Sequence, residues 1–187
     1  MARLEDRYLV WRLKRGSTQA LCRIYHRYET DLLTLAVSLL GPTGQADDVL
    51  QDVFVKFLES IDTFELTGSL KGYLAKCVAN RARDYRRKAR RPSPQDGQPL
   101  SEDRPGQHGL APSPVETAIA HEQQQRVAAA LAGLPYEQRE VVLLHLQGGL
   151  KFREIAQTQG VAAKTAESRY RYGIDRLRSL LNGQVET

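Results

Sequence analysis

The sequence is poor in the residues that build metal centres and disulfide frameworks. Its 187 residues include two cysteines, four histidines, one tryptophan and one methionine. Cys22 and Cys77 lie far apart and share no metal-ligand spacing with His26, His108, His121 or His145. Two reduced cysteines packed in a core are expected, with no metal and no cofactor. Long apolar runs are also missing. The longest, Leu32 to Leu40, contains Thr34 and Ser38 and is about half the length of a membrane span. The first sixteen residues carry Arg3, Glu5, Asp6, Arg7, Arg12, Lys14 and Arg15, which no signal peptide would. A cytoplasmic chain without membrane insertion is expected. There is no glycine-rich phosphate loop, no Ser/His/Asp grouping and no His paired with catalytic carboxylates, so an enzyme is not expected.

What is present is ordinary in amount and uneven in distribution. Hydrophobic residues make up 41% and charged residues 26%, as in a soluble globular protein, and the net charge is +5. Six of the eight prolines fall at 92, 94, 99, 105, 112 and 114, joined by Gly97, Gly106 and Gly109 without apolar periodicity. Such a segment buries no core and reads as an extended linker. From Pro92 to Glu122 it carries five acids against Arg104 alone. The division is a helical domain over 1–91, a flexible acidic linker over 92–117 and a second helical domain over 118–187. No strand-like alternation occurs, so the fold is expected to be all-α.

In the first domain, Leu21, Tyr25, Tyr28, Leu32, Leu35 and Leu39 keep helical spacing, with Ser17 as N-cap and Gly41-Pro42 as the stop. The next helix, which Thr43 can cap, buries Ala46, Val49, Leu50, Val53, Phe54, Phe57, Leu58 and Ile61. Its outer face shows Asp47, Asp48, Gln51, Asp52 and Glu59, with Val55 exposed among them, and Gln45 to Asp62 sums to −4. After a loop from Asp62 to Gly68, Ser69 caps a third helix. Lys71 to Arg91 holds nine Lys/Arg against Asp84. Leu70, Tyr73, Leu74, Cys77, Val78, Ala82 and Tyr85 form its buried stripe, while Lys76, Asn80, Arg83 and Arg87 line the exposed side. Charge of this density on a helix repels itself unless an anion offsets it, which favours phosphate. Phe64 and Tyr73 offer stacking surfaces for unpaired bases, although Tyr73 also belongs to the buried stripe.

In the second domain, a short helix starts within Val127 to Leu134, and Pro135 suits the first turn of the next, which ends at Gly148-Gly149. Glu154-Ile155-Ala156, Gly160-Val161 and Thr165-Ala166 then fit a helix-turn-helix. A small Ala lets the helices approach, and a Gly four residues later permits a left-handed turn. The following helix presents Lys164, Thr165, Glu167, Ser168, Arg169, Arg171, Arg176 and Arg178, a set suited to the major groove. An ordinary helical hairpin with a solvated basic face has the same spacing.

Read together, these segments resemble the extracytoplasmic-function sigma factors of bacterial RNA polymerase. The run Ala46-Asp47-Asp48-Val49-Leu50-Gln51-Asp52-Val53-Phe54 is similar to the segment that binds core polymerase. Ser69 to Tyr73, continued through Asn80, Asp84, Arg86 and Arg87, resembles the part that melts and reads the −10 element. Leu134 to Arg139, Glu154-Ile155-Ala156, Arg169 and Arg176-Leu177-Arg178 resemble the −35-reading domain. The resemblance implies a non-catalytic specificity subunit whose partners are core RNA polymerase and promoter DNA. It implies docking through Asp47, Asp48, Gln51, Asp52 and Val55. Contacts to the unpaired −10 strand would come from Phe64, Lys71, Tyr73, Lys76, Asn80, Arg83, Arg86 and Arg87. Contacts to −35 duplex would come from Lys164, Thr165, Glu167, Ser168, Arg169, Arg171 and Arg176. The loop 62–68 would capture a flipped base, and the acidic linker would thread toward the RNA exit path. Members are often held by an anti-sigma factor, though no residue here identifies one. The family often has Trp where Tyr73 stands, Ser or Thr near Ala162-Ala163, and Val at Ala166. These departures imply an uncapped recognition helix with a smaller anchoring contact. A stand-alone helix-turn-helix regulator and an RNA-binding adaptor are the competing readings.

Overall fold

The computed structural model describes residues 2–41, 45–89 and 114–183, with side chains over 4–41, 45–89 and 122–183. Among the described residues all regular structure is helical: α1 (Ala2–Lys14), α2 (Thr18–Leu40), α3 (Ala46–Glu59), α4 (Leu70–Ala89), α5 (Pro114–Ala132), α6 (Tyr136–Leu146), α7 (Phe152–Gln159) and α8 (Ala163–Asn182). No described helix is long and apolar enough to cross a membrane.

α2 is the axis of the first domain, packed by α1, α3 and α4. Ile24, Leu32, Leu35 and Leu39 of α2, Val49 and Phe57 of α3, and Leu70, Leu74 and Val78 of α4 are almost wholly removed from water. Each such side chain contributes about 1.5–3 kcal/mol of apolar burial. The expected stripes hold, except that Tyr73, Cys77 and Tyr85 sit at the margin of the core. Ser69 caps α4, its hydroxyl accepting from the Gly72 N–H at 3.3 Å. Ser17 stands at the N-cap of α2 but its side chain makes no cap bond, and its carbonyl accepts from Ala20 instead. The N-cap of α3 is Gln45, and Thr43 lies outside the described residues.

The charged N-terminal segment is itself an amphipathic helix. Leu9, Val10 and Leu13 of α1 are buried, and so is Asp6. Asp6 accepts from the Tyr28 hydroxyl at 2.7 Å and from Arg27 at 3.1 Å, while Glu5 pairs with the other arm of Arg27 at 2.6 Å. A buried carboxylate is tolerated only when so satisfied. Cys22 is exposed rather than packed in the core; only Cys77 is partly buried.

α5 begins at Pro114, inside the segment expected to be extended, and runs unbroken to Ala132, so the expected short helix near Val127 is its C-terminal end. The linker residues 92–113 lie outside the described residues, and with them the expected path toward the RNA exit. Pro135 is the N-cap of α6 rather than part of its first turn. Gly160 takes φ +67°, the left-handed conformation that turns α7 into α8. Ala156 and Ala166 are buried at the crossing of those helices.

The two domains pack on each other, α6 and α7 lying against α4 and α6 against α2. Gly148 makes this approach possible. A Cβ there would stand 2.7 Å from the Leu144 carbonyl and from Leu150, and 3.1 Å from Ala75 of α4.

Candidate polymerase and nucleic-acid interfaces

Three surfaces carry the candidate residues. On α3, Asp47, Asp48 and Gln51 are exposed, and Val55 is 46% exposed. Asp52 is different. Arg81 of α4 grips it, donating from Nε at 2.7 Å and from a second guanidinium nitrogen, so this carboxylate is already neutralised within the fold. A groove of about 420 Å³ continues the α3 face toward α2, lined by Cys22, Tyr25, His26, Gln51, Phe54 and Val55 among others. The face is therefore acidic at one end and apolar beside Val55.

The second surface is α4 with the loop before it. Phe64 and Tyr73 meet at a centroid distance of 4.6 Å, and both rings rest on the buried Phe57, at 5.2 and 6.0 Å. Tyr73 is half-buried, its ring packed against the core beside the loop. Burial pushes its phenol pKa up, so it stays a protonated donor. Lys71 is tied to Asp31 at 2.6 Å and Arg87 to Asp84 at 3.1 Å, whereas Asn80 is exposed.

The third surface is the helix-turn-helix. Lys164, Thr165, Glu167, Arg171 and Arg176 are exposed along α8, and Ser168 is half-buried. The N-cap is Ala162, in extended conformation and without a side-chain bond, as expected. His145 is a packing residue here, stacked on Phe152 at 4.5 Å with Tyr170 against its edge.

Three further candidate arginines are engaged within the fold. Arg83 of α4 donates from Nη2 to Glu140 at 2.7 Å and from Nη1 to the Thr158 carbonyl at 2.8 Å, both in the second domain. Arg86 lies 3.6 Å above the ring of Tyr136. Arg169 donates to Gln159 at 2.7 Å, and Gln159 in turn donates to Glu140 at 2.7 Å. Arg83 was expected on an open face; the packing of the second domain encloses it. Glu140 and Tyr136 were not expected to matter, and Glu140 is 1% exposed. The signal was available: Glu140 is a lone acid beside the apolar run 141–144, four residues after Tyr136.

The helices that carry these surfaces fall within two family matches. Residues 24–92 match the Sigma-70 region 2 family and residues 124–177 match Sigma-70, region 4. The ECF RNA polymerase sigma factor EcfG of Rhodopseudomonas palustris (strain TIE-1) is 31% identical over 153 residues, covering 80% of this chain and 78% of that protein. This chain belongs to the extracytoplasmic-function sigma factors. It is a promoter-recognising sigma factor for RNA polymerase, and such factors are DNA-binding initiation proteins rather than enzymes. The ECF RNA polymerase sigma-E factor of Escherichia coli (strain K12) is 27% identical across 98% of this chain and 95% of its own. Among solved structures, CnrH in complex with the cytosolic domain of CnrY superposes with a TM-score of 0.66 at 26% identity, covering 96% of this sigma factor and 98% of that chain. The sigma factor RpoE in complex with the anti-sigma factor NepR from Bartonella quintana gives 0.66 at 25%, covering 88% and 98%. In this sigma factor the region 2 match takes in α2 from Ile24 onward and the whole of α3 and α4, and the region 4 match ends within α8. The Arg83–Glu140 pair joins one match to the other.

Proposed function

We propose that this sigma factor docks on core RNA polymerase through the outer face of α3, with Asp47, Asp48, Gln51 and Val55 in contact and Asp52 contributing through its bond to Arg81. Supporting this reading is the pairing, on one small domain, of an acidic face and a cationic helix. The first suits a basic protein surface and the second suits phosphate. α4 with its preceding loop would hold the unpaired −10 strand: Phe64 and Tyr73 supply stacking surface, and Lys71, Lys76, Asn80, Arg83, Arg86 and Arg87 supply donors. Unstacking a base costs a few kcal/mol, which these cations and polymerase binding together offset. α8 would enter the −35 major groove with Lys164, Thr165, Glu167, Ser168, Arg169, Arg171 and Arg176. An anti-sigma factor is a further expected partner, since both solved relatives cited are bound to such a partner or to a second protein's cytosolic domain.

The docking assignment is tested with Asp48→Arg/Val55→Arg. Neither residue is engaged elsewhere, whereas replacing Asp52 would also orphan Arg81. The doubly substituted chain is expected to fold normally and to lose co-elution with core polymerase. Undiminished binding would place the docking surface elsewhere.

A further inference from the structure

The helix α1 lies ahead of the region 2 match, which begins at residue 24, and its outer face has no part in the interfaces above. Its inner face is Leu9, Val10 and Leu13 with the satisfied Asp6. Leu4, Tyr8 and Trp11 follow one another at helical spacing and are exposed, Trp11 by 48%. Three large side chains left in water along one row of a helix mark a contact surface. The row is also tied together. The rings of Tyr8 and Trp11 stack with centroids 6.0 Å apart and planes 23° from parallel. The guanidinium of Arg15 lies 4.0 Å over the indole.

This face is continuous with the loop 62–68. Lys14 donates from Nζ to the Asp62 carbonyl at 3.2 Å, where the loop begins. A groove of about 540 Å³ then runs between helix and loop, with Arg7, Trp11 and Lys14 on one side and Phe64 and Glu65 on the other. Both acids of α1, Glu5 and Asp6, are engaged by Arg27. The outer side of the helix thus brings Arg7, Lys14 and Arg15 against the loop's Asp62 and Glu65. Rings interleaved with cations suit an unpaired strand: the ring takes the face of a base, the cation takes its phosphate, and neither depends on sequence.

We infer that α1 extends the single-strand path, with Trp11 stacking a base beyond the one that the loop captures. The inference rests on the assignment of this loop and α4 to the unpaired −10 strand. A base displaces the Arg15 guanidinium from the indole, and the flexible arginine turns to the adjoining phosphate. A base–aromatic stack is stronger than an exposed cation–π contact, so the exchange is favourable. Basic helices with exposed aromatics also bind membrane surfaces. Here the apolar face of the helix, Leu9, Val10 and Leu13, is already buried in the domain, and the exposed row leads to Phe64.

Trp11 is the one tryptophan of the chain, so its fluorescence reports on this face alone. The full-length chain is titrated with a mixed-sequence single-stranded DNA 20-mer, which is expected to quench the indole to saturation. A fluorescein-labelled copy of the 20-mer reads affinity in Trp11→Ala and Phe64→Ala, neither of which changes charge. Each is expected to bind about tenfold more weakly, the scale of one base–aromatic stack. Circular dichroism of Trp11→Ala should show unchanged helicity, and its co-elution with core polymerase should be unaffected. Weaker binding in Phe64→Ala alone, with the indole unquenched, overturns the inference and leaves the −10 assignment standing. No binding of the 20-mer by the unsubstituted chain overturns the −10 assignment and the inference with it. A fluorescence response to vesicles of phosphatidylglycerol and phosphatidylcholine, without one to the 20-mer, overturns the inference in favour of a lipid surface.

Discussion

The guanidinium of Arg86 lies 3.6 Å above the ring of Tyr136, joining the end of α4 to the start of α6. Arg139 approaches the same ring at 5.9 Å, so one aromatic face serves two cations. The Tyr136 phenol is buried beside Glu140, which pushes its pKa well up and keeps it neutral. Tyr136→Phe keeps the ring and gives up only a long hydroxyl contact. It is expected to cost about 1 kcal/mol or less, read by urea unfolding. Tyr136→Ala opens a cavity in the core and is expected to cost about 3–5 kcal/mol. Equal losses in the two variants would mean that the ring is not what matters.

The recognition helix starts without a cap. Ala162 has φ −69° and ψ 149°, the backbone geometry of an N-cap, and no side-chain acceptor. Thr165 N–H already donates to the Ala162 carbonyl at 2.9 Å, so Ala162→Ser supplies an acceptor for the Lys164 N–H and is expected to stabilise the domain by about 1 kcal/mol. A thermal melt measures it; no rise in Tm would mean the helix end is satisfied in another way.

The two thiols should differ sharply. Cys22 is exposed and Cys77 is partly buried, its pKa pushed up by burial, which the hydrogen bond with Tyr73 only partly offsets. N-ethylmaleimide at neutral pH is expected to modify Cys22 at once and Cys77 only slowly, as counted by mass spectrometry. A folded-state pKa above the unfolded one means that the protonated thiol is favoured by folding. Its contribution is complete below the unfolded thiol pKa of about 8.5 and is lost as pH rises through the folded value. Stability should therefore fall on the alkaline side in the native chain more than in Cys77→Ala. Parallel pH profiles in the two chains would contradict this.

Phe64 and Tyr73 share the floor of Phe57. Phe64→Ala is expected to leave duplex binding by α8 unchanged and to weaken promoter opening by about 1–3 kcal/mol, the worth of one base–aromatic stack. Permanganate footprinting of unpaired thymines measures it, and full melting in the variant would remove the stacking role.

Much of this was legible along the chain because helical spacing is a local property. The stripe at 49, 50, 53, 54 and 57, the exposed Val55, the Ser69 cap and the turn at Gly160 all follow from residues a few positions apart. α1 is not evident from local pattern because many charges interrupt Leu9, Val10 and Leu13, and because Asp6 is buried by partners on α2 that no local pattern names. The tie between Asp52 and Arg81 spans 29 residues, and that between Arg83 and Glu140 spans 57. Long-range pairing of this kind depends on how helices dock, so a basic face that reads as open along the sequence is partly closed in the fold. Glu140 is marked locally as an acid beside the apolar run 141–144, but its partner Arg83 is not.

The central claim is that this chain confers promoter choice on RNA polymerase. Core polymerase is mixed with the purified chain and supplied with a genomic fragment library for run-off transcription. Discrete start sites that need both components, and that vanish with Asp48→Arg/Val55→Arg, are the expected result. Direct shifting of duplex DNA by the free chain, with no binding to core and no new start sites, would contradict it.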